Sequence, residues 1–296
     1  CPPDPDKCGT YLWSKTFSEI LDYKGLKTVL YQRDALGGEA EKLDQVSQGL
    51  LEISNSDLAK AGSIDPTIFG FDLPFLFQDM EHFYRVLNGT DLLDKVNQGT
   101  TKQGVRVLSL VPMGGMTGIA TTNKKIRTPK DFKGVRMRAL DQNQAKTYAA
   151  WGANAVVIPW SEVYNALQTG IASGYLNAAN VPVMFKHTEV LKYYSEAKIR
   201  PSLRIAIASE DWFQGLSKEH QEIILHAVSE ANDVVKSWVA KIEERLLGDL
   251  RAAGMEVYIN STEEKEKFAR LVRPLYIELS SEEVAQVFLE ASEKMK

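Results

Sequence analysis

Cysteine is almost missing from this chain: Cys1 and Cys8 are the only two among 296 residues. Histidine is scarce too, with His82, His187, His220 and His226 scattered among charged neighbours. A zinc site needs three or four convergent ligands, and the nearest histidine to the cysteine pair is His82, so no metal is expected. No apolar run approaches the roughly 18 residues of a membrane span. Neither charge dominates: 35 Lys+Arg stand against 39 Asp+Glu, a net charge of −4. That balance lacks the basic excess that marks nucleic-acid binders. Dinucleotide, P-loop, zinc-protease and nucleophile-elbow signatures are all missing. Met113–Gly118 is Gly-rich, but its glycines are spaced wrongly for a dinucleotide turn, and it reads as a loop. Nothing here points to an enzyme or a cofactor. The four histidines read as surface residues.

What is present is an ordinary globular composition, 44% hydrophobic and 25% charged, long enough for about two domains of ~150 residues. Apolar runs of strand length alternate with helix-period segments, which is the α/β signature. Strands are expected at Leu26–Tyr31, Leu50–Ile53, Gly104–Val111, Thr117–Thr122, Val135–Arg138, Ala155–Pro159 and Leu203–Ala208. Helices are expected at Glu39–Gln48 and Gln142–Trp151. Thr128 caps a short helix with Pro129 at its first position. Ser161 caps another, which runs to Thr169 and stops at Gly170. From Ser217 to about Ala253 the apolar residues hold one helical period, a length of about 55 Å. Cys1 and Cys8 have three readings: a local disulfide formed in an oxidising compartment, two free thiols, or a lipid-modified Cys1.

Five segments then carry a resemblance. They are Leu36-Gly37-Gly38-Glu39, Asp72-Leu73-Pro74-Phe75-Leu76-Phe77, Thr128–Arg138, Ile158–Gly170, and Asp211-Trp212-Phe213 leading into Leu216–Ile224. In this order they resemble the DctP-type solute-binding proteins of tripartite ATP-independent periplasmic (TRAP) transporters. The resemblance implies a two-lobe periplasmic-binding-protein-like α/β fold with interleaved lobes and a long helix spanning both. Lobe I would be 1–115 plus 203–242, and lobe II 116–202 plus 243–296. It implies a periplasmic monomer that captures a small organic carboxylate by cleft closure and delivers it to the membrane permease subunits. Family members open with a strand ahead of the Cys1–Cys8 loop, so residues upstream of Cys1 are expected. Two alternatives stand beside this reading: a binding module that feeds a signalling partner, and a protein specific for sugar acids.

The resemblance also selects binding residues. Arg138 matches the arginine that pairs with the ligand carboxylate, and a guanidinium suits that task as a planar, permanently charged fork. Arg136, two residues earlier on the same strand face, is expected to be structural. Asn177 matches an asparagine that reaches the same carboxylate, although the usual Glu-Asn-Pro is here Leu176-Asn177-Ala178. Trp160 matches an aromatic pocket wall, or is a plain tryptophan at a helix start. Asp57 either faces the ligand or caps the helix that begins at Leu58. Gly118 stands where some relatives carry a second basic residue. With Met113 and Met116 beside it, the expected cargo is a monocarboxylate with an apolar or aromatic body. Tyr11 and Trp13 could add to such a pocket.

Overall fold

The computed structural model describes residues 3–32 and 35–296. The chain forms two compact units. The first comprises Cys1–Phe71, Val86–Gly114 and Leu203–Ile242, and the second Asp72–Arg85, Gly115–Ser202 and Glu243–Lys296. Among the described residues eight strands occur in the order β1 (Ile53–Asp57), β2 (Val105–Thr121), β3 (Arg136–Ala139), β4 (Asn154–Val157), β5 (Gly174–Ala178), β6 (Tyr193–Glu196), β7 (Pro201–Ser209) and β8 (Glu256–Ile259). The 35-residue helix Lys218–Ala252 contributes to both units. No helix among the described residues is long and apolar enough to cross a membrane.

In the first unit β7 lies between β1 and β2, with β1 antiparallel to it from Ile53↔Ala208 to Asp57↔Arg204. The helix Gly9–Tyr23 supplies Trp13, which is buried and stacked on Phe17 at 4.9 Å. The Trp13 indole N–H donates to Asn232 Oδ1 at 2.7 Å, and Ser109 Oγ donates to the same oxygen at 2.7 Å. One amide oxygen thus ties a strand to two helices, as a buried polar group must be tied.

In the second unit the strand order is β4-β3-β5-β2-β6-β8. β3 is parallel to both neighbours, and β2 is antiparallel to β5 and β6. Successive side chains of a strand point to opposite faces. Ile119, Met137 and Leu176 therefore share one face, where they join Phe132, Tyr148, Trp151 and Phe268 in the core. Phe132 stacks on Trp151 at 5.5 Å, and the Trp151 indole N–H donates to Phe268 O at 3.1 Å.

Segment Asp72–Arg85, assigned above to lobe I, lies in the second unit. Its backbone explains why. Phe75 N–H donates to Ile199 O at 2.6 Å, Ser292 Oγ donates to Leu76 O at 2.8 Å, and the Tyr276 hydroxyl donates to Pro74 O.

Several expected elements differ. Leu26–Tyr31 is irregular rather than a strand. Asp22 accepts from both the backbone N–H and the hydroxyl of Thr28, which holds the chain in a turn, and Val29 is 74% exposed. Leu50 is exposed as well, and the strand there starts only at Ile53. The two strands expected on either side of Met113–Met116 are one continuous β2 of 17 residues, so this stretch is not a loop. Its glycines suit the crowding, because a Cβ on Gly118 would sit 2.5 Å from the Tyr194 ring. Ser161 caps nothing; the helix Val163–Gln168 follows a 3-10 turn, Trp160–Glu162. Cys8 is buried and disulfide-bonded, while Cys1 lies outside the described residues.

The stacked aromatic core yields a stability test. Phe132→Ala should cost about 3–5 kcal/mol, the usual range for truncating a buried ring. Chemical denaturation would measure it, and a loss below about 1 kcal/mol would mean that the second unit does not rest on this cluster.

Candidate functional site

Arg138 sits on β3, with β4 on one side and β5 on the other. It is 3% exposed, although burying a charge is costly unless partners replace water. Its Nε donates to Ile158 O at 2.9 Å, and its guanidinium lies over the Trp160 ring at 5.6 Å, a cation–π contact. Arg136 is exposed and reaches only Ile171 O, at 3.4 Å.

Register places the other residues. Arg138 pairs with Tyr175, Tyr175 with Ala120, and Ala120 with Tyr194. Paired residues project to the same side of a sheet. These four therefore form one row across β3, β5, β2 and β6, on the face opposite the aromatic core. Asn177, two residues beyond Tyr175, shares that face and pairs with Gly118. Its Oδ1 accepts from Ala178 N–H at 3.1 Å, and its backbone oxygen accepts from the Tyr194 hydroxyl at 3.1 Å. One bond thus orients the Asn177 side-chain amide and the other fixes its backbone. Met116 is buried further along β2, in a recess shared with Ala179, Tyr194 and Leu246.

An aromatic cage surrounds Trp160, which is half-buried. Phe185 lies 4.9 Å, His187 5.3 Å and Tyr175 6.0 Å from its ring. Arg138, Trp160, Asn177 and Met116 thus all belong to the second unit. The other three expected residues belong to the first. Asp57 caps the helix Leu58–Ala61 by accepting from Lys60 N–H at 3.1 Å, and it faces Arg204 at 3.8 Å. Arg204 also binds Glu39 at 2.7 Å. Burial alone would raise the Glu39 carboxyl, but Arg204 and Lys42 hold it below its ordinary value. Trp13 is committed to the core described above, and Tyr11, two residues earlier on the same helix, is half-buried.

Two histidines are buried, against the surface placement expected for all four. His82 is 0% exposed: Gln78 N–H donates to its Nδ1 at 3.1 Å, and its Nε2 is 3.0 Å from Ser292 O. One nitrogen accepts and the other donates, which is the pattern of a neutral ring. His187, 4% exposed, has its Nδ1 3.1 Å from the Tyr175 hydroxyl. Sequence reading missed His187, Phe185, Tyr175 and Tyr194. For Tyr175 a signal existed, since it alternates in phase with Asn177; for His187 none did. Among the described residues no group of three or more His, Cys, Asp or Glu could hold a metal ion.

Burial lowers the His187 imidazole from 6.5 to about 4. The unfolded ring therefore binds a proton that the folded ring refuses across this window. The linkage sign follows: this contribution to stability is present above the unfolded value and is lost as pH falls through the window. Unfolding free energies measured from pH 7 to 4 should show a slope of up to about 1.4 kcal/mol per pH unit that His187→Gln removes. Identical slopes in both proteins would refute it.

Known proteins share this architecture. A 2,3-diketo-L-gulonate-binding periplasmic protein of Escherichia coli is 27% identical over 253 residues, covering 83% of this chain and 76% of that one. An ectoine-binding periplasmic protein of Halomonas elongata is 27% identical over 291 residues, covering 92% and 82%. A TRAP periplasmic solute-binding protein from Roseobacter denitrificans, solved with bound β-D-glucuronate, superposes with a TM-score of 0.86 at 25% identity, covering 97% of this chain and 95% of that one. The DctP family model, described as bacterial extracellular solute-binding protein, family 7, matches residues 3–283, nearly the whole chain, and so the chain belongs to that family.

Proposed function

We propose that this chain is the periplasmic solute-binding component of a TRAP transporter, that it captures a small organic carboxylate by closure of its lobes, and that it hands the solute to the membrane permease. The observation that carries this reading is the buried Arg138. Its guanidinium is lodged against the Trp160 ring, on the sheet face that also bears Asn177. A carboxylate meeting such a fork gains paired, charge-assisted hydrogen bonds, and their strength grows where water is excluded. In the proposed site Arg138 holds the carboxylate, Asn177 donates from its amide, and Trp160 walls the solute. Tyr11 and Asp57 are proposed to contribute from lobe I, whereas Trp13 is taken up by its own core. The role is capture without chemistry, so solute recovered from the protein should be unchanged.

Two cargo classes have support. Trp160, Phe185 and Met116 favour a monocarboxylate with an apolar or aromatic body. The relatives that bind diketogulonate and glucuronate favour a sugar acid.

A thermal-shift screen of organic acids decides between them, because a solute that binds only the folded state raises its melting temperature. In calorimetric titrations with the best hit, Arg138→Ala should weaken binding at least tenfold, and Arg138→Lys should recover part of it. Arg136→Ala should stay within about twofold of the parent, because an exposed arginine contributes little. Unchanged affinity in the folded Arg138→Ala protein would sink the site assignment.

A further inference from the structure

The face that carries Arg138 runs across β5 and β2 to β6, with β8 beyond. Tyr194 stands in the same row, three strands from Arg138, about 14 Å at the usual strand spacing. Its ring does not stand free but leans over Gly118. A Cβ added to Gly118 would lie 2.5 Å from both the ring carbon Cζ and the hydroxyl oxygen of Tyr194, and 2.5 Å from Ser195 O. That space is therefore already filled, and no side chain fits at position 118 while Tyr194 keeps its place. The Tyr194 hydroxyl also donates to Asn177 O, so the ring that fills the gap sets the backbone of a proposed ligand residue. With Met116 and Ala179, Tyr194 lines a recess that two carboxylates, Glu196 and Glu243, also line. Lys198 and Lys265 hold Glu196 at 3.6 and 3.5 Å. Glu243 forms no ion pair within 4.0 Å among the described residues.

We propose that Tyr194 is a specificity-determining residue of the carboxylate site: seated over Gly118 and tied to Asn177, with Glu243 in the recess it lines, it closes this side to a second anionic group, so the cargo is a monoanion or a zwitterion. The proposal deepens the carboxylate reading and rests on it. Its physical content is twofold. The ring takes the room in which a second cation would have to stand, and Glu243 repels a second carboxylate that approaches the same edge.

The test uses matched pairs that differ by one carboxylate: glucuronate with glucarate, butyrate with succinate, and phenylacetate with 1,4-phenylenediacetate. Titration calorimetry on the full chain should show at least a tenfold preference for the monoanion of any pair that binds. Glu243→Gln, which preserves shape, should narrow that preference at least threefold by improving the dianion alone. Tyr194→Phe keeps the ring and loses the bond to Asn177 O, so it should weaken both members of a pair by a similar factor. Tyr194→Ala, where it folds, should bring the dianion closest to parity. A parent protein that binds the dianion as well as the monoanion overturns the proposal while leaving the carboxylate site intact. So does a preference unmoved by Glu243→Gln. If no acid of the panel binds and Arg138→Ala behaves as the parent does, the carboxylate reading fails and takes this one with it.

Discussion

The second unit is organised around one costly act, the burial of the Arg138 guanidinium. Taking a cation out of water costs several kcal/mol unless the surroundings replace its hydration. Here a backbone oxygen at the end of β4 and the face of an indole begin that replacement. The Trp160 ring is held in turn by Phe185, His187 and Tyr175. The sheet thus separates two kinds of order. On one face aromatic rings pack without charge, and on the other an array of rings serves a single charge. A strand alternates its side chains, so four residues of β3 suffice to join Met137 in the hydrocarbon core to Arg138 on the polar face.

The cage has a chemical side effect on its own members. His187 surrenders most of its capacity to hold a proton, and Tyr175 and Tyr194 hold theirs more firmly because burial disfavours their charged forms. Within the cage the rings are therefore neutral neighbours of one permanent cation.

Much of this could be read from residue order alone. The helical period from Ser217 to Ala253 marked the long helix to within a residue of each end, because tertiary packing reinforced the local preference at every turn. Arg138 stood out only through its neighbours Thr128–Met137, since an arginine near a strand end is usually a surface residue. Leu26–Tyr31 misled because strand propensity measures how well a side chain fits a pleated surface, and no partner strand is present among the described residues. Met113–Met116 misled in the opposite direction. Glycine commonly marks a loop, but here it admits close neighbours to a continuous strand. His187 and Tyr194 act across gaps of 12 and 17 residues, on Tyr175 and Asn177, and such spacings carry no periodic signature.

The placement of Trp160 has a consequence for observation. An indole against a guanidinium feels that charge directly, and its emission colour depends on the local field. Of the other four tryptophans, Trp13 and Trp151 are sealed in their cores with their N–H groups bonded, and those two supply a steady background. If a carboxylate takes the seat proposed at Arg138, Trp160 would therefore also be an intrinsic lamp, shifting its hue as the anion draws the guanidinium's field toward itself.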